Sequence, residues 1–402
     1  MGFLVRIETV RGLAALAVAL GHTMGFLLQP AGAGRSLLDQ PNLTGIAAKL
    51  AFGLVNGETA VIVFFVISGV VIGRSLDSRP LAPRGSGLAR DYAAFLLRRA
   101  LRLYPAHVVA LLGIVGLGML FLAAAPDIDF AAFPGSAPAH DSDLAGWLNG
   151  EIFDPPRLRS LLANLALATW SMNLVAWSLH VEVFAAPFLP LFHALARRGN
   201  GWLDLAAVAA LLGLALLAWP LVGARYLFAF YLGMTIEHRG AALVAAVERR
   251  LGGPRRAVAL VYLAMMLPNT VAAQRSFGIA VVEALGAFLL VGLVVRSEGR
   301  RPLATLEAPM LRTNGRLSYS FYLWHLVLLT LAAHALYATL PPDAMVAWQV
   351  PLAAAVAVAT IAVALAIAWA SYRYVEVPGV ALGRWLATPG RIAQLRNSAI
   401  TR

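Results

Sequence analysis

Arg11 and His22 stand eleven residues apart near the start of the chain. Eleven residues are close to three turns of 3.6, so in a helix the two share one face, with roughly 16 Å of rise between them. Glu8 lies one turn before Arg11 on that face. A histidine can take a proton from a hydroxyl or briefly carry a transferred group. An arginine beside it can oppose developing negative charge or position an anion, and a carboxylate can orient that arginine. Three further groups recur at helical spacing: Ser178 with Glu182 at i, i+4; Ser318, Tyr322 and His325 at i, i+4, i+7; and Tyr372 with Glu376 at i, i+4. Arg98, Arg99 and Arg102 gather ahead of Tyr104-Pro105, and arginine forks match phosphate oxygens. Each group also has a purely structural reading: a snorkelling Arg paired with Glu8, histidines bonded to neighbouring helices, an interfacial aromatic belt, or a topogenic basic cluster.

The elements that carry these residues must sit in lipid. Apolar residues make up 60% of the 402 positions and charged residues 13%, about half the charged share of a soluble domain. Such a chain cannot cover a globule with polar surface. There is no cysteine, which removes disulfides, thiolate metal sites and cysteine nucleophiles. No cluster of histidines and carboxylates has a convincing ligand spacing, so no metal is expected. The net charge of +12 could suggest nucleic acid. However, the arginines lie between apolar runs rather than on one basic face, so no nucleic acid partner is expected.

Apolar stretches predict an all-α polytopic membrane bundle of about ten spans, near 7–28, 53–73, 104–125, 173–195, 203–221, 225–238, 257–273, 277–295, 316–338 and 349–373. The first span has no small-residue cleavage site after it and reads as an uncleaved anchor. Residues 158–172 are too polar to span and read as interfacial or re-entrant. The chain divides into one membrane domain, 1–378, and a short basic cytoplasmic tail, 379–402. With the N-terminus inside, the basic residues fall on or beside cytoplasmic segments, except Arg35, Lys49, Arg157, Arg159, Arg225 and Arg275. The 74–102 segment carries seven arginines, Arg74, Arg79, Arg84, Arg90, Arg98, Arg99 and Arg102. The facing 126–156 loop carries Asp127, Asp129, Asp141, Asp143, Glu151 and Asp154 and no basic residue. Both termini are therefore expected inside, in an inner membrane.

Taken together, these residues resemble acyltransferase family 3, the multi-pass membrane acyltransferases that O-acylate bacterial surface and exported glycans. Glu8-Thr9-Val10-Arg11-Gly12 through His22 is similar to the family's first-helix signature of Arg, ten residues, His. Gly57 through Phe64-Phe65-Val66-Ile67-Ser68-Gly69 looks like its second-helix motif, and Arg99-Ala100-Leu101-Arg102 with Tyr104-Pro105 resembles its Arg-x-x-Arg loop. Trp177-Ser178-Leu179 with Glu182, Leu317-Ser318-Tyr319 with Tyr322-Leu323-Trp324-His325, and Tyr372 with Glu376 resemble three further blocks, in the family's order. Leu326-Val327 departs from the proline that many relatives carry there. His180 lies at a position that varies in the family and is left out of the catalytic set.

The resemblance implies transfer of an acyl group, acetyl before longer chains, from acyl-CoA to a hydroxyl of a glycan, lipid-linked sugar or related acceptor at the membrane. Acyl-CoA is then a co-substrate, and no cofactor is tightly bound. His22 is the expected base or acyl carrier, with Arg11 positioning or supporting an oxyanion and Glu8 orienting Arg11. Arg98, Arg99 and Arg102 are expected to hold the coenzyme's phosphates. Glu182, Ser178, Tyr322, His325, Tyr372 and Glu376 are expected as orienting or acceptor-site residues. Some relatives carry an extracytoplasmic esterase-like domain, and no segment here resembles it, so direct delivery or a separate extracytoplasmic transferase is expected. A transporter or flippase could use the same buried polar residues as a substrate path without cleaving a thioester.

The charge asymmetry predicts that a single cysteine introduced at position 140 is labelled in intact cells by an impermeant thiol reagent, whereas one at position 84 is protected. The reverse pattern would overturn the orientation.

Overall fold

The computed structural model describes residues 5–27, 42–83, 85–124, 155–218, 221–271 and 276–388. Among these residues the chain is helical throughout and contains no strand. The main helices are α1 (Val5–Leu27), α2 (Leu43–Leu54), α3 (Gly57–Ser78), α4 (Ser86–Ala124), α5 (Pro155–Leu165), α6 (Ala176–Ala185), α7 (Leu189–Arg198), α8 (Gly201–Leu217), α9 (Leu227–Thr235), α10 (Gly240–Arg250), α11 (Pro254–Val271), α12 (Phe277–Ser297), α13 (Pro309–Thr339), α14 (Gln349–Ser371) and α15 (Val377–Leu386). A 3-10 turn, Arg301–Glu307, precedes α13, and a π-helical turn, Tyr372–Glu376, joins α14 to α15.

The helix carrying Arg11 and His22 is the bundle's internal post. α1 packs mainly against α13, α3 and α14, and small residues let the backbones approach. A Cβ at Gly12 would meet the Gly315 backbone at 2.7 Å, and one at Gly21 would meet the Val55 carbonyl at 2.7 Å. The lower end of α1 is clamped by Arg6, which is 1% exposed. Its Nε donates to Glu307 at 2.8 Å, and its terminal nitrogens donate to the Ser297 and Arg300 carbonyls. Thr9 Oγ1 donates to the Leu306 carbonyl at 2.6 Å. Rise and rotation of α1 are thereby fixed against the end of α12 and the 3-10 turn.

Among the described residues, six helices are long and apolar enough to cross a membrane, or up to seven if the bent pair α6–α7 is one span. Several of the ten expected spans are not among these helices, and the physical reasons are local. The span expected at 173–195 breaks by 61° between α6 and α7, where Pro187 and Pro190 each remove a backbone donor. The span expected at 225–238 contains α9, whose nine residues rise only about 14 Å, half a bilayer core. Every residue of α9 is buried, so it is apolar all round because protein surrounds it. Its Gly233 lies against Gly69 of α3, close enough that a Cβ at Gly69 would meet the Phe230 carbonyl. α8 is apolar but has 17 residues. Within 158–172, α5 is a short helix that packs on α4, followed by turns.

Residues 379–386, read from the sequence as the start of the tail, belong to α15. There Gly379 and Gly383 lie against Leu101 and Arg98 of α4. The remainder of the expected tail, 389–402, and the acidic 126–154 segment lie outside the described residues.

Candidate functional site

α1, α3, α4, α6 and α13 surround two connected cavities. The outer one, about 570 Å³, opens where the arginines of the 74–102 segment converge. It is lined by Glu8 and Arg11 from α1, Arg74 from α3, Arg79, Arg98, Arg99 and Arg102 around α4, and Arg384 from α15. The inner one is narrow, about 70 Å³, and is lined by Arg11, Ser68, Arg99, Arg102, Ser178, Glu182, Ser318, Tyr319 and Tyr322, with Phe64 and Phe65 at its apolar wall. Arg11, Val71, Ile72, Arg99 and Arg102 line both, so the cavities form one passage.

The cations of this passage are not equivalent. Arg99 is paired with Glu182 at 3.1 Å, and Ser68 Oγ donates to the other oxygen of the same carboxylate at 3.1 Å. Arg74 is paired with Glu237. Among the described residues, Arg11 and Arg102 form no hydrogen bond or ion pair. Their nearest opposite charges act through space, chiefly Glu376. Glu376 sits in the π-helical turn and accepts from Ser320 Oγ at 3.1 Å; single π turns recur at functional sites. With Glu182 and Glu376 set against Arg11, Arg99 and Arg102, the passage keeps a net positive charge before the outer arginines are counted. It suits an anionic ligand.

Beyond the inner end stand the two histidines. His22 Nδ1 lies 3.0 Å from His325 Nε2, and the rings are nearly parallel with centroids 5.3 Å apart. His325 Nδ1 lies 2.8 Å from the Tyr322 carbonyl, one turn earlier in α13. A carbonyl only accepts, so His325 Nδ1 must carry the proton. With both rings neutral, His325 Nε2 is then the acceptor and His22 Nδ1 the donor. This leaves the lone pair of His22 on Nε2. Neither histidine lines the passage, but Tyr322 does. Its ring centroid lies 5.6 Å from that of His325 and 5.9 Å from that of Phe64. Its hydroxyl lies 3.0 Å from that of Ser178.

The structure thus brings Arg11, Arg98, Arg99, Arg102, Ser178, Glu182 and Tyr322 to one passage, with His22 and His325 beyond its inner end and Glu376 within electrostatic reach. It sets others apart. The Glu8 carboxylate lies 3.7 Å from Arg316 of α13 rather than bonding Arg11. Tyr372 packs against the Ala15–Ala364–Phe321 cluster and lines neither cavity. His180 bonds the Leu167 carbonyl at 2.8 Å and stacks in an aromatic row with Trp170 and Phe184, off the passage. Sequence spacing missed Arg79 and Arg384, which reach the outer cavity from a loop and a distant helix. It also missed Tyr319, whose hydroxyl donates to the Leu103 carbonyl at 2.7 Å. Nothing local marks the two arginines, whereas Tyr319 was within reach as the neighbour of Ser318.

A family model described as an acyltransferase domain matches residues 4–372. No curated protein and no solved structure matches the chain.

The histidine geometry predicts a specific tautomer. In protein labelled with 15N-histidine, the signal removed by His22→Gln should report a ring protonated at Nδ1 with a bare Nε2. The His325→Leu variant, which has no acceptor for that proton, should lose this state. A His22 ring protonated at Nε2 in the unaltered protein would contradict the arrangement.

Proposed function

Since this chain belongs to acyltransferase family 3, we propose that it moves an acyl group, acetyl in the first instance, from acyl-CoA to a hydroxyl of a glycan, lipid-linked sugar or related acceptor at the inner membrane. The observation that carries the donor reading is the arginine-lined passage that narrows from the outer vestibule to a point beneath the His22–His325 pair. Coenzyme A has three phosphates at one end and a slender arm bearing the thioester at the other, and a wide cationic mouth leading to a narrow neck fits both.

In this reading Arg98 and Arg102 hold phosphate oxygens, with Arg79 and Arg384 added from the vestibule rim. Arg99 already carries Glu182 and acts mainly by fixing α6 against α4. Arg11 lies roughly 16 Å of helix rise from His22, so it meets the donor's arm or phosphates rather than the reacting carbonyl. The pantetheine arm enters the inner cavity and brings the acyl carbon up to Tyr322. His22 Nε2 takes the proton of the acceptor hydroxyl as its oxygen bonds to the acyl carbon. The carbon–sulfur bond then breaks, and the proton passes to the departing thiolate, releasing free CoA. His325 is a positioning residue that holds His22 in the required tautomer. Glu182 and Glu376 hold the buried cations in place, and Ser178 fixes the Tyr322 hydroxyl. Where a separate extracytoplasmic transferase completes the delivery, the hydroxyl acylated here is that of an intermediate carrier rather than of the final acceptor.

Purified, reconstituted protein given labelled acetyl-CoA and a membrane glycolipid extract should release free CoA and label the extract, which a transporter using the same passage would not do. Arg102→Ala should weaken acetyl-CoA binding at least tenfold, because one charge-assisted contact is worth about 1.5–3 kcal/mol. Unchanged affinity in a well-inserted variant would count against the phosphate role.

A further inference from the structure

We infer that Phe64 limits the length of the acyl group that the inner cavity accepts, confining it to short chains such as acetyl. The inference rests on the acyl-CoA reading above. The inner cavity is small: about 70 Å³ is room for on the order of five water molecules. That space must hold the end of the pantetheine arm and the acyl group together. The cations lie toward the mouth, and the end that would receive an acyl tail is closed by Phe64, Phe65 and Tyr322.

These three rings differ in how firmly they are held. Phe65 is 1% exposed and stacked on Phe230 at 5.1 Å, with Tyr226 and Trp177 against its other sides. Tyr322 is buried and its hydroxyl lies against Ser178. Phe64 is only partly buried. One side lines the cavity, and the other rests on the cluster that includes Ala15 and Ala19 of α1. Leu16 of α1 packs against the same cluster, and Ala19 and Ala15 lie one and two turns before His22. Truncating Phe64 would therefore open space along the α1 face, and that space leads toward the histidine. Truncating Phe65 would instead leave a void inside a packed aromatic cluster. Phe64, which packs between two apolar clusters, is thus the least buried of the three rings and the one whose size can be changed with least loss of core packing.

The test is equilibrium binding of acetyl-CoA and hexanoyl-CoA to the full-length protein in nanodiscs, which needs no acceptor. The wild-type protein should bind hexanoyl-CoA at least tenfold more weakly than acetyl-CoA, since one surplus methylene in a fitted pocket already discriminates 10-fold or more. Phe64→Ala should bring the two affinities to within roughly threefold. Phe64→Leu, the milder truncation, should move the ratio in the same direction by less, and it serves if the alanine variant fails to insert. Equal binding of both thioesters by the wild-type protein, or a wild-type ratio in both variants, would overturn the role of Phe64 while leaving the donor reading intact. Failure of the wild-type protein to bind free CoA or acetyl-CoA at all would overturn the donor reading, and this inference with it.

Discussion

An arginine held within a bilayer must have a partner, water or a ligand, since a guanidinium in hydrocarbon is strongly penalised. Three of them, Arg11, Arg99 and Arg102, meet in the inner cavity of this bundle, and the arrangement around them follows from that constraint. Glu182 neutralises Arg99 directly, and the broken α6–α7 span sets the short helix that carries this carboxylate against α4. Glu376 faces Arg102 and Arg11 from a π-helical turn, where the chain departs from regular α geometry. What the two carboxylates leave uncompensated stays in contact with the outer vestibule. The passage is therefore the solution to an electrostatic problem, and its surplus positive charge suits the anionic donor proposed for it. Arg6 clamps the lower end of α1, and glycines at 12 and 21 bring α1 against its neighbours. Together they hold Arg11 and His22 at fixed depth.

The second constraint is directional. A histidine acts as a base only if the correct nitrogen is free, and the Tyr322 carbonyl settles which one. A helical carbonyl fixes His325, and His325 fixes His22. The whole relay lies within hydrogen-bond distances of 2.8 and 3.0 Å. The tautomer of His22 is thus set without a carboxylate, which avoids bringing a further charge into the membrane.

Much of this was legible in the sequence. Composition gave lipid as the solvent, the spacings 178/182 and 318/322/325 gave polar faces, and the order of motifs gave the family. The rest depends on tertiary contact, which one-dimensional spacing cannot express. Apolar length counts α9 as a span although it is enclosed by protein, and it gives no sign that 173–195 is bent at Pro187 and Pro190. Glu8 lies one turn from Arg11 in sequence but faces Arg316 across the α1–α13 contact. His22 and His325 both belong to the expected site, but 303 positions separate them, so local spacing carries no sign of their contact. Arg6 has no local signature of its clamping role, because a single arginine at the start of a first span usually serves topology.

His22 carries the proposed chemistry. In a well-inserted His22→Gln variant the ring nitrogen that takes the proton is gone, while size and hydrogen-bonding capacity are largely kept. Release of free CoA from acetyl-CoA in the presence of membrane acceptor should fall by 10²-fold or more, the usual contribution of a positioned base. Acetyl-CoA should bind as before, because its phosphate contacts lie a cavity's length away. Near-normal turnover by this variant would contradict the role of His22 as the base.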